Sequence, residues 1–219
     1  MVAVTKAMRI RNPALFICDV QEKFRTAIYE YPKLIATSEK LLKASAPLQI
    51  PVFVTTQNRA RLGETVSELQ PYLTGPNLRA DVDKTLFSMI TPKIRALLPE
   101  TSPTTSNGSS AAASGNNTPL DVIIVGIETH ICVTQTTLDL LALGHRVYVV
   151  ADGVSSCNEG ERGIALARLR DAGAIVTTSE SLLFEILGDA KRGEFKAVSG
   201  LVKDTKEQTK GALEVFCKI

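Results

Sequence analysis

Short, nearly unbroken apolar runs recur along this chain, and each is followed by a stretch in which apolar residues return at helical spacing. Residues 14–20 (ALFICDV) form the first run, closed by an acid; residues 31–46 then carry Leu34, Ile35, Leu41 and Leu42 on one face. Residues 51–56 (PVFVTT) form a second, β-branched run, and Leu78 to Asp83 has the makings of a short strand ending at Lys84. Thr91-Pro92 opens a helix through Ile94, Leu97 and Leu98, with the proline at a permitted first-turn position. Residues 121–127 are the next clear strand, followed by a helix over 129–143. Residues 146–151 (RVYVVA), a helix over 159–172, residues 174–178 (AIVTT) and a short helix over 181–187 complete the alternation.

Strands that are apolar on both faces and alternate with helices predict a mostly parallel sheet buried between two helical layers. The fold class is therefore α/β, three-layered. Residues 99–119 (PETSPTTSNGSSAAASGNNTP) break the pattern. Rich in Ser, Thr, Asn, Gly and Pro, they lack the apolar surface to offset their ordering entropy and read as a mobile insertion between a helix and a strand. From about residue 189 a charged, helix-permissive tail places Phe195, Val198, Leu201 and Val202 on one stripe, which fits either this domain or a second subunit.

With 219 residues, 44% of them hydrophobic, the whole chain 1–219 is expected to fold as a single domain. The charge of +2, from 25 basic and 23 acidic residues without a basic run, gives no reason to expect nucleic acid as a partner. No apolar stretch is long enough to span a membrane, and the N-terminus lacks the apolar core of a secretory signal. Cys18, Cys132, Cys157 and Cys217 show no paired short spacing, so neither a zinc knuckle nor a disulfide framework is expected. A cytoplasmic location follows. The basic N-terminus as a mitochondrial leader, and Cys217-Lys218-Ile219 as a loose peroxisomal tripeptide, are weaker alternatives.

In parallel α/β sheets ligands bind beyond the carboxyl ends of the strands. Asp19 closes the first strand, Lys84 follows the 78–83 segment, and Cys132 lies just past the strand at 121–127, where a helix begins. A thiol at such a junction can feel the positive end of the helix dipole, which favours thiolate. Each residue also has an ordinary reading: Asp19 as a turn cap, Lys84 as a solvated lysine, Cys132 as core packing.

ALFICDVQEKF, DKTLFSM, VIIVGIETHICVTQT and GHRVYVVADGVSS, in that order, resemble the isochorismatase-like cysteine hydrolases, a superfamily that includes nicotinamidases and N-carbamoyl amide hydrolases. The resemblance runs from about residue 12 to 187. It implies a Rossmann-like, six-stranded sheet and a triad in which Cys132 attacks a carbonyl carbon, Asp19 shuttles the proton and Lys84 keeps Asp19 ionised. It also implies a cis peptide at Ile127-Glu128 and an oxyanion hole made by the backbone N–H groups of Glu128 and Cys132. The family's oligomers imply a homo-oligomer.

Metal-dependent nicotinamidases carry an Asp and several His ligands after the second strand. Here that region reads TTQNRARLGETVSEL, and the only histidines are His130 and His145. No catalytic metal and no cofactor are expected. Glu128 and His130 stand where nicotinamidases tend to have a small residue and an Asp, which weighs against nicotinamide. Cys132 weighs against the vinyl-ether chemistry of isochorismatase itself. Gln21, Phe24 and Gln57 are expected to contact substrate, although Phe24 can equally pack under a loop and Gln57 finish a turn. His130 fits a structural role better than ligand contact. Cys18 reads as core.

The activity expected is hydrolysis of a C–N bond in a small amide or related compound through a thioester. A binding or regulatory protein on the same fold is the alternative. A dinucleotide-dependent dehydrogenase is not supported, because no Gly-x-Gly-x-x-Gly follows the first strand.

Overall fold

Six parallel strands run through the centre of the computed structural model, which describes residues 9–101 and 118–217. They are β1 (Pro13–Cys18), β2 (Val52–Gln57), β3 (Leu78–Lys84), β4 (Asp121–Gly126), β5 (Arg146–Val154) and β6 (Ile175–Thr177), in the order β3-β2-β1-β4-β5-β6. All pairings are parallel, so the sheet is fully rather than mostly parallel. Most of the expected insertion (102–117), the N-terminal residues 1–8 and the final Lys218-Ile219 lie outside the described residues.

The period-two geometry of a strand sends successive side chains to opposite faces, and here both faces are apolar. Leu15 and Ile17 of β1, Ile123 and Val125 of β4, and Tyr148 and Val150 of β5 point to one side. There they meet Leu34, Ile35, Leu41 and Leu42 of α1 (Tyr31–Ser45) and Leu182, Leu183 and Leu187 of a helix late in the chain. Ala14, Phe16, Cys18, Val122, Ile124, Val147 and Val149 point to the other side, against Ile94, Leu140, Leu166 and Leu169. Two apolar interfaces, one on each face of the sheet, make the three layers.

The helices follow in chain order: α2 (Arg59–Leu62), α3 (Pro92–Arg95), α4 (Thr134–Ala142), α5 (Glu159–Asp171), α6 (Ser179–Leu187), α7 (Phe195–Asp204) and α8 (Lys206–Phe216). α3 is shorter than its apolar spacing predicts. Thr91 caps it by accepting the Ile94 N–H at 3.3 Å, but Pro99 cannot continue a helix and disfavours helical geometry at Leu98. β5 runs three residues past its expected end at Ala151, to Val154. The buried Asp152 in that extension is satisfied by accepting the Ser179 N–H at 2.7 Å and the Ser179 hydroxyl.

The charged tail docks on the domain itself. Val198, Ala212 and Phe216 are buried in the α1-side core. Lys40 of α1 donates to Thr209 Oγ1 of α8 at 2.8 Å, and Arg162 stacks 4.4 Å from the centre of the Phe216 ring while donating to the Phe216 carbonyl. All four residues of the predicted stripe meet this core: Val198 is buried, while Phe195, Leu201 and Val202 pack at its edge.

The strand order reverses at β1. The chain builds β2 and β3 to one side of it and then returns to lay β4 on the other, leaving a crevice beyond their carboxyl ends.

Candidate active site

Asp19, Lys84 and Cys132 all come to that crevice. Asp19 is the first residue after β1 and takes a left-handed backbone (φ 53°), a conformation that costs a non-glycine residue on the order of 1 kcal/mol and persists only where the surroundings fix it. Those surroundings are explicit. Its N–H donates to the Thr55 carbonyl at 3.1 Å, Thr55 Oγ1 donates to Oδ1 at 2.7 Å, and Lys84 Nζ donates to Oδ2 at 2.7 Å. Each carboxylate oxygen has one fixed donor.

Lys84 ends β3, two strands away from β1, and its ammonium is completely buried. Besides Asp19 it has the Gln57 Oε1 at 2.8 Å and the carbonyls of Leu86 and Phe87, each at 3.0 Å. The turn after β3 therefore folds back to solvate the charge that β3 delivers. Burial pulls its pKa down, but its acidic neighbours, the hydrogen-bonded Asp19 carboxylate among them, outweigh that and hold it above the usual lysine value. A buried cation of this kind stays charged because its acceptors are fixed in advance.

Cys132 arrives through an irregular piece of backbone. β4 ends at Gly126, whose φ of 120° and lack of a Cβ are both required: an added Cβ would lie 2.1 Å from the Cys18 carbonyl oxygen. The Ile127-Glu128 peptide is cis, as the family resemblance implies. The expected helix over 129–143 then begins as a π-helical turn, Thr129–Val133, before α4 takes over. The Val133 N–H reaches back five residues to the Glu128 carbonyl at 3.1 Å, which widens the turn. Thr136 Oγ1 donates to the Cys132 carbonyl at 2.6 Å and accepts the Met89 N–H at 2.9 Å, tying the turn that carries Cys132 to the loop that holds Lys84.

A cavity of about 120 Å³ opens over this arrangement, lined by Asp19, Phe24, Gln57, Phe87, Ile127, Glu128, Ile131 and Cys132. Two of the three expected substrate contacts, Phe24 and Gln57, line it. Gln21 does not, and that expectation is corrected. Its side chain is fully buried beside β2, where Oε1 accepts the Gln57 N–H at 2.7 Å and Nε2 donates to the carbonyls of Gly63 at 2.7 Å and Gln57 at 3.2 Å. With donors and acceptor all engaged, it positions Gln57. His130 bonds Ser156 Oγ through Nδ1 at 2.9 Å and is not part of the lining.

Phe87, Ile127 and Ile131 escape a reading of the sequence, because apolar lining looks like core. So does Cys18, which is buried behind the site. Burial, then the Cys132 sulfur, then Asp19 push its thiol well above the ordinary range, so it stays protonated and inert.

The isochorismatase domain family matches residues 13–181. The secreted isochorismatase effector Isc1 of Phytophthora sojae (strain P6497) is 40% identical over 88% of this chain and 85% of its own length. The isochorismatase domain-containing protein 2 of Xenopus laevis is 37% identical, covering 94% of this chain and 90% of its own. Among solved structures, a protein described as MAR1 ribonuclease from Caenorhabditis elegans superposes with a TM-score of 0.75 at 37% identity, over 90% of this chain and 93% of that one. The nicotinamidase SaPncA from Staphylococcus aureus, at 22% identity and a TM-score of 0.62 over 76% of this chain and 99% of that one, shares the fold. On the sequence match, the architecture and the relatives together, the chain belongs to the isochorismatase family.

Proposed function

We propose that this protein is a cysteine hydrolase that cleaves the C–N bond of a small amide or related compound. The observation that carries the reading is the buried Lys84–Asp19 ion pair beneath a small cavity onto which both Asp19 and Cys132 open. Asp19 accepts the Cys132 thiol proton, and the thiolate sulfur adds to the substrate carbonyl carbon. The oxygen that becomes negative is received by the backbone N–H groups of Glu128 and Cys132. Asp19 returns its proton to the nitrogen as the C–N bond breaks, leaving a thioester on Cys132. Water then attacks the thioester with Asp19 as base, and the acid departs as the thiol is reprotonated.

Lys84 has a defined part in this cycle. A carboxylate alone beside the thiol would disfavour thiolate, and the fixed ammonium offsets that field. The α4 N-terminus, just beyond the π-helical turn, acts in the same direction. The cavity holds roughly the liquid volume of four water molecules, well under the 300 Å³ or more of sites for drug-sized ligands, which limits the substrate to a few non-hydrogen atoms beside the amide. Its apolar rim of Phe24, Phe87 and Ile131 favours a short aliphatic or flat group over a charged one.

The worm neighbour's description raises RNA as a second substrate. A cavity of about 120 Å³ and a net charge of +2 weigh against a polyanion of that size. Self-association and a cytoplasmic location belong to the same proposal; the exposed Phe87 of the cavity lining and its exposed chain neighbour Leu86 give an assembly something to cover.

The test is an ammonia-release screen over small primary amides, ureides and N-carbamoyl compounds, with RNA in parallel. A hit that accumulates a covalent adduct on the Cys132 peptide by mass spectrometry supports the proposal. Saturable binding of such compounds with no product makes the protein a binder instead, and RNA cleavage that persists in Cys132→Ala replaces the mechanism.

A further inference from the structure

We propose that Glu128, His130 and Cys157 form a binding site for a borderline-soft divalent ion of the Zn²⁺ class at the rim of the Cys132 cavity. One donor atom from each of the three lies within 4.8 Å of the other two. The proposed triad uses none of these side chains. The site also lies apart from the segment after the second strand, where metal-dependent relatives would carry ligands.

Two separate stretches of chain build it. Glu128 and His130 flank the start of the π-helical turn, and Cys157 stands in the loop between β5 and α5. The two stretches are clamped together by backbone: the Thr129 N–H donates to the Ser155 carbonyl at 2.9 Å, and the Cys157 N–H donates to Glu128 Oε2 at 2.8 Å. Behind them Tyr29 braces the loop, its N–H donating to the Ser156 carbonyl at 3.0 Å and its carbonyl accepting the Ser155 hydroxyl at 2.6 Å. His130 Nδ1 stands 4.0 Å from Glu128 Oε2. Donor atoms of a tetrahedral zinc site lie about 3.5 Å apart, so the cluster needs to tighten by roughly 1 Å at its widest. Cys157 is exposed and supplies that movement by rotating its thiol.

The donor set selects the ion. A thiolate, an imidazole and a carboxylate suit Zn²⁺, Co²⁺ and their neighbours, whereas Mg²⁺ and Ca²⁺ require oxygen ligands throughout. On binding, the Cys157 thiol, a hydrogen-bond partner of the Glu128 carboxylate, releases its proton to solvent as the sulfur–metal bond forms. Carboxylate and thiolate together neutralise the 2+ charge. Three protein ligands leave the fourth tetrahedral position open to water or to an anionic group, and Glu128 is itself a wall of the catalytic cavity.

The experiment is titration of the chelator-stripped full-length protein with Zn²⁺ against a chromophoric competitor, and with Co²⁺ to read the thiolate-to-metal charge-transfer band. One ion per chain is expected, with that band present. Cys157→Ser should remove the band and weaken Zn²⁺ on the order of a hundredfold, Glu128→Gln and His130→Asn should each weaken it at least tenfold, and Cys132→Ala should leave both readouts unchanged. Circular dichroism of each variant separates ligand loss from unfolding. The proposal is overturned if no saturable binding occurs, if Cys157→Ser binds like the parent, or if Cys132→Ala abolishes binding and so places the ion on the catalytic thiol. Because the readouts are ion binding and a spectrum, they stand whether or not an amide substrate is found.

Discussion

At the scale of single residues, the site divides by how strongly each group depends on its neighbours. Cys132 is buried, and in the proposed mechanism its side chain acts through the sulfur alone, so Cys132→Ala should abolish amide turnover and adduct formation. Losing one sulfur atom costs about 1 kcal/mol, a drop in melting temperature of no more than about 3 °C in a domain this size. Full turnover in that variant would remove the nucleophile from the mechanism. Lys84 is different. Lys84→Met strands the Asp19 carboxylate in the interior without its counter-charge, which should cost about 3 kcal/mol as well as turnover. The double variant Asp19→Asn with Lys84→Met removes both charges and should recover a substantial part of that loss. Denaturant melts of the four proteins decide this: if the two single losses simply add, the pair is not coupled and Lys84 has another role.

What can be read from the sequence at this scale follows from chemistry. Asp19, Lys84 and Cys132 stand out because each is a reactive group at or just beyond the carboxyl end of a strand, where ligands bind in parallel α/β sheets. Phe87 and Ile131 carry no such signal, since a side chain facing a cavity and one facing the core obey the same pattern. Gln21 is misplaced for a related reason: a polar residue beyond a strand end is equally compatible with an open pocket and with a buried amide serving the next strand. The approach of Cys157 to Glu128 depends on the β5–α5 loop crossing back over the π-helical turn, a non-local contact that no spacing reveals.

Among the elements, β4 and the turn after it carry the tightest steric demand. β1 and β4 pair from Pro13 with Asp121 to Cys18 with Gly126, and at the last pair the backbones are so close that only hydrogen fits at Gly126. Gly126→Ala meets a carbonyl oxygen at 2.1 Å and must also hold a φ of 120°. Backbone does not yield as a flexible side chain does, so the strands must separate where Asp19 and Cys132 are held. The expected loss is about 3 kcal/mol or more, read as a lower urea midpoint with unchanged slope, together with loss of turnover. Wild-type stability in this variant would mean that the ends of β1 and β4 have more freedom than the pairing shows. The apolar pattern carries this strand to Ile127, one residue past the glycine, and gives no sign of the π-helical turn. A π turn and an α turn present nearly the same apolar spacing over five residues, so only the backbone distinguishes them.

Across the whole molecule, the two cores on either side of the sheet are legible in advance because strand alternation dictates them, whereas the docking of α7 and α8 rests on a stripe that fits several partners. The same global view exposes a pH dependence far from the site. His145, between α4 and β5, is buried, and its Nδ1 accepts the Leu120 N–H at 3.2 Å just before β4. Burial, reinforced by Arg95 of α3, holds its pKa below the ordinary imidazole value of about 6.5. A protonated Nδ1 could not accept that bond, so the geometry asks for the neutral ring. The folded pKa therefore lies below the unfolded one, and the unfolded chain takes up the proton first as pH falls. The contribution to stability is complete above about pH 6.5 and is lost as pH falls from there through the folded pKa, at about 1.4 kcal/mol for each pH unit separating the two. Every other ionisable group is common to the parent and His145→Asn, so the comparison isolates this one ring. Between pH 7.5 and 5 the parent's unfolding free energy should fall more steeply than the variant's, even though the variant starts lower because the Leu120 N–H has a poorer partner. Parallel curves over that range would show that His145 takes up its proton in the folded state as readily as in the unfolded chain, and that the β4 and β5 entries tolerate the charge.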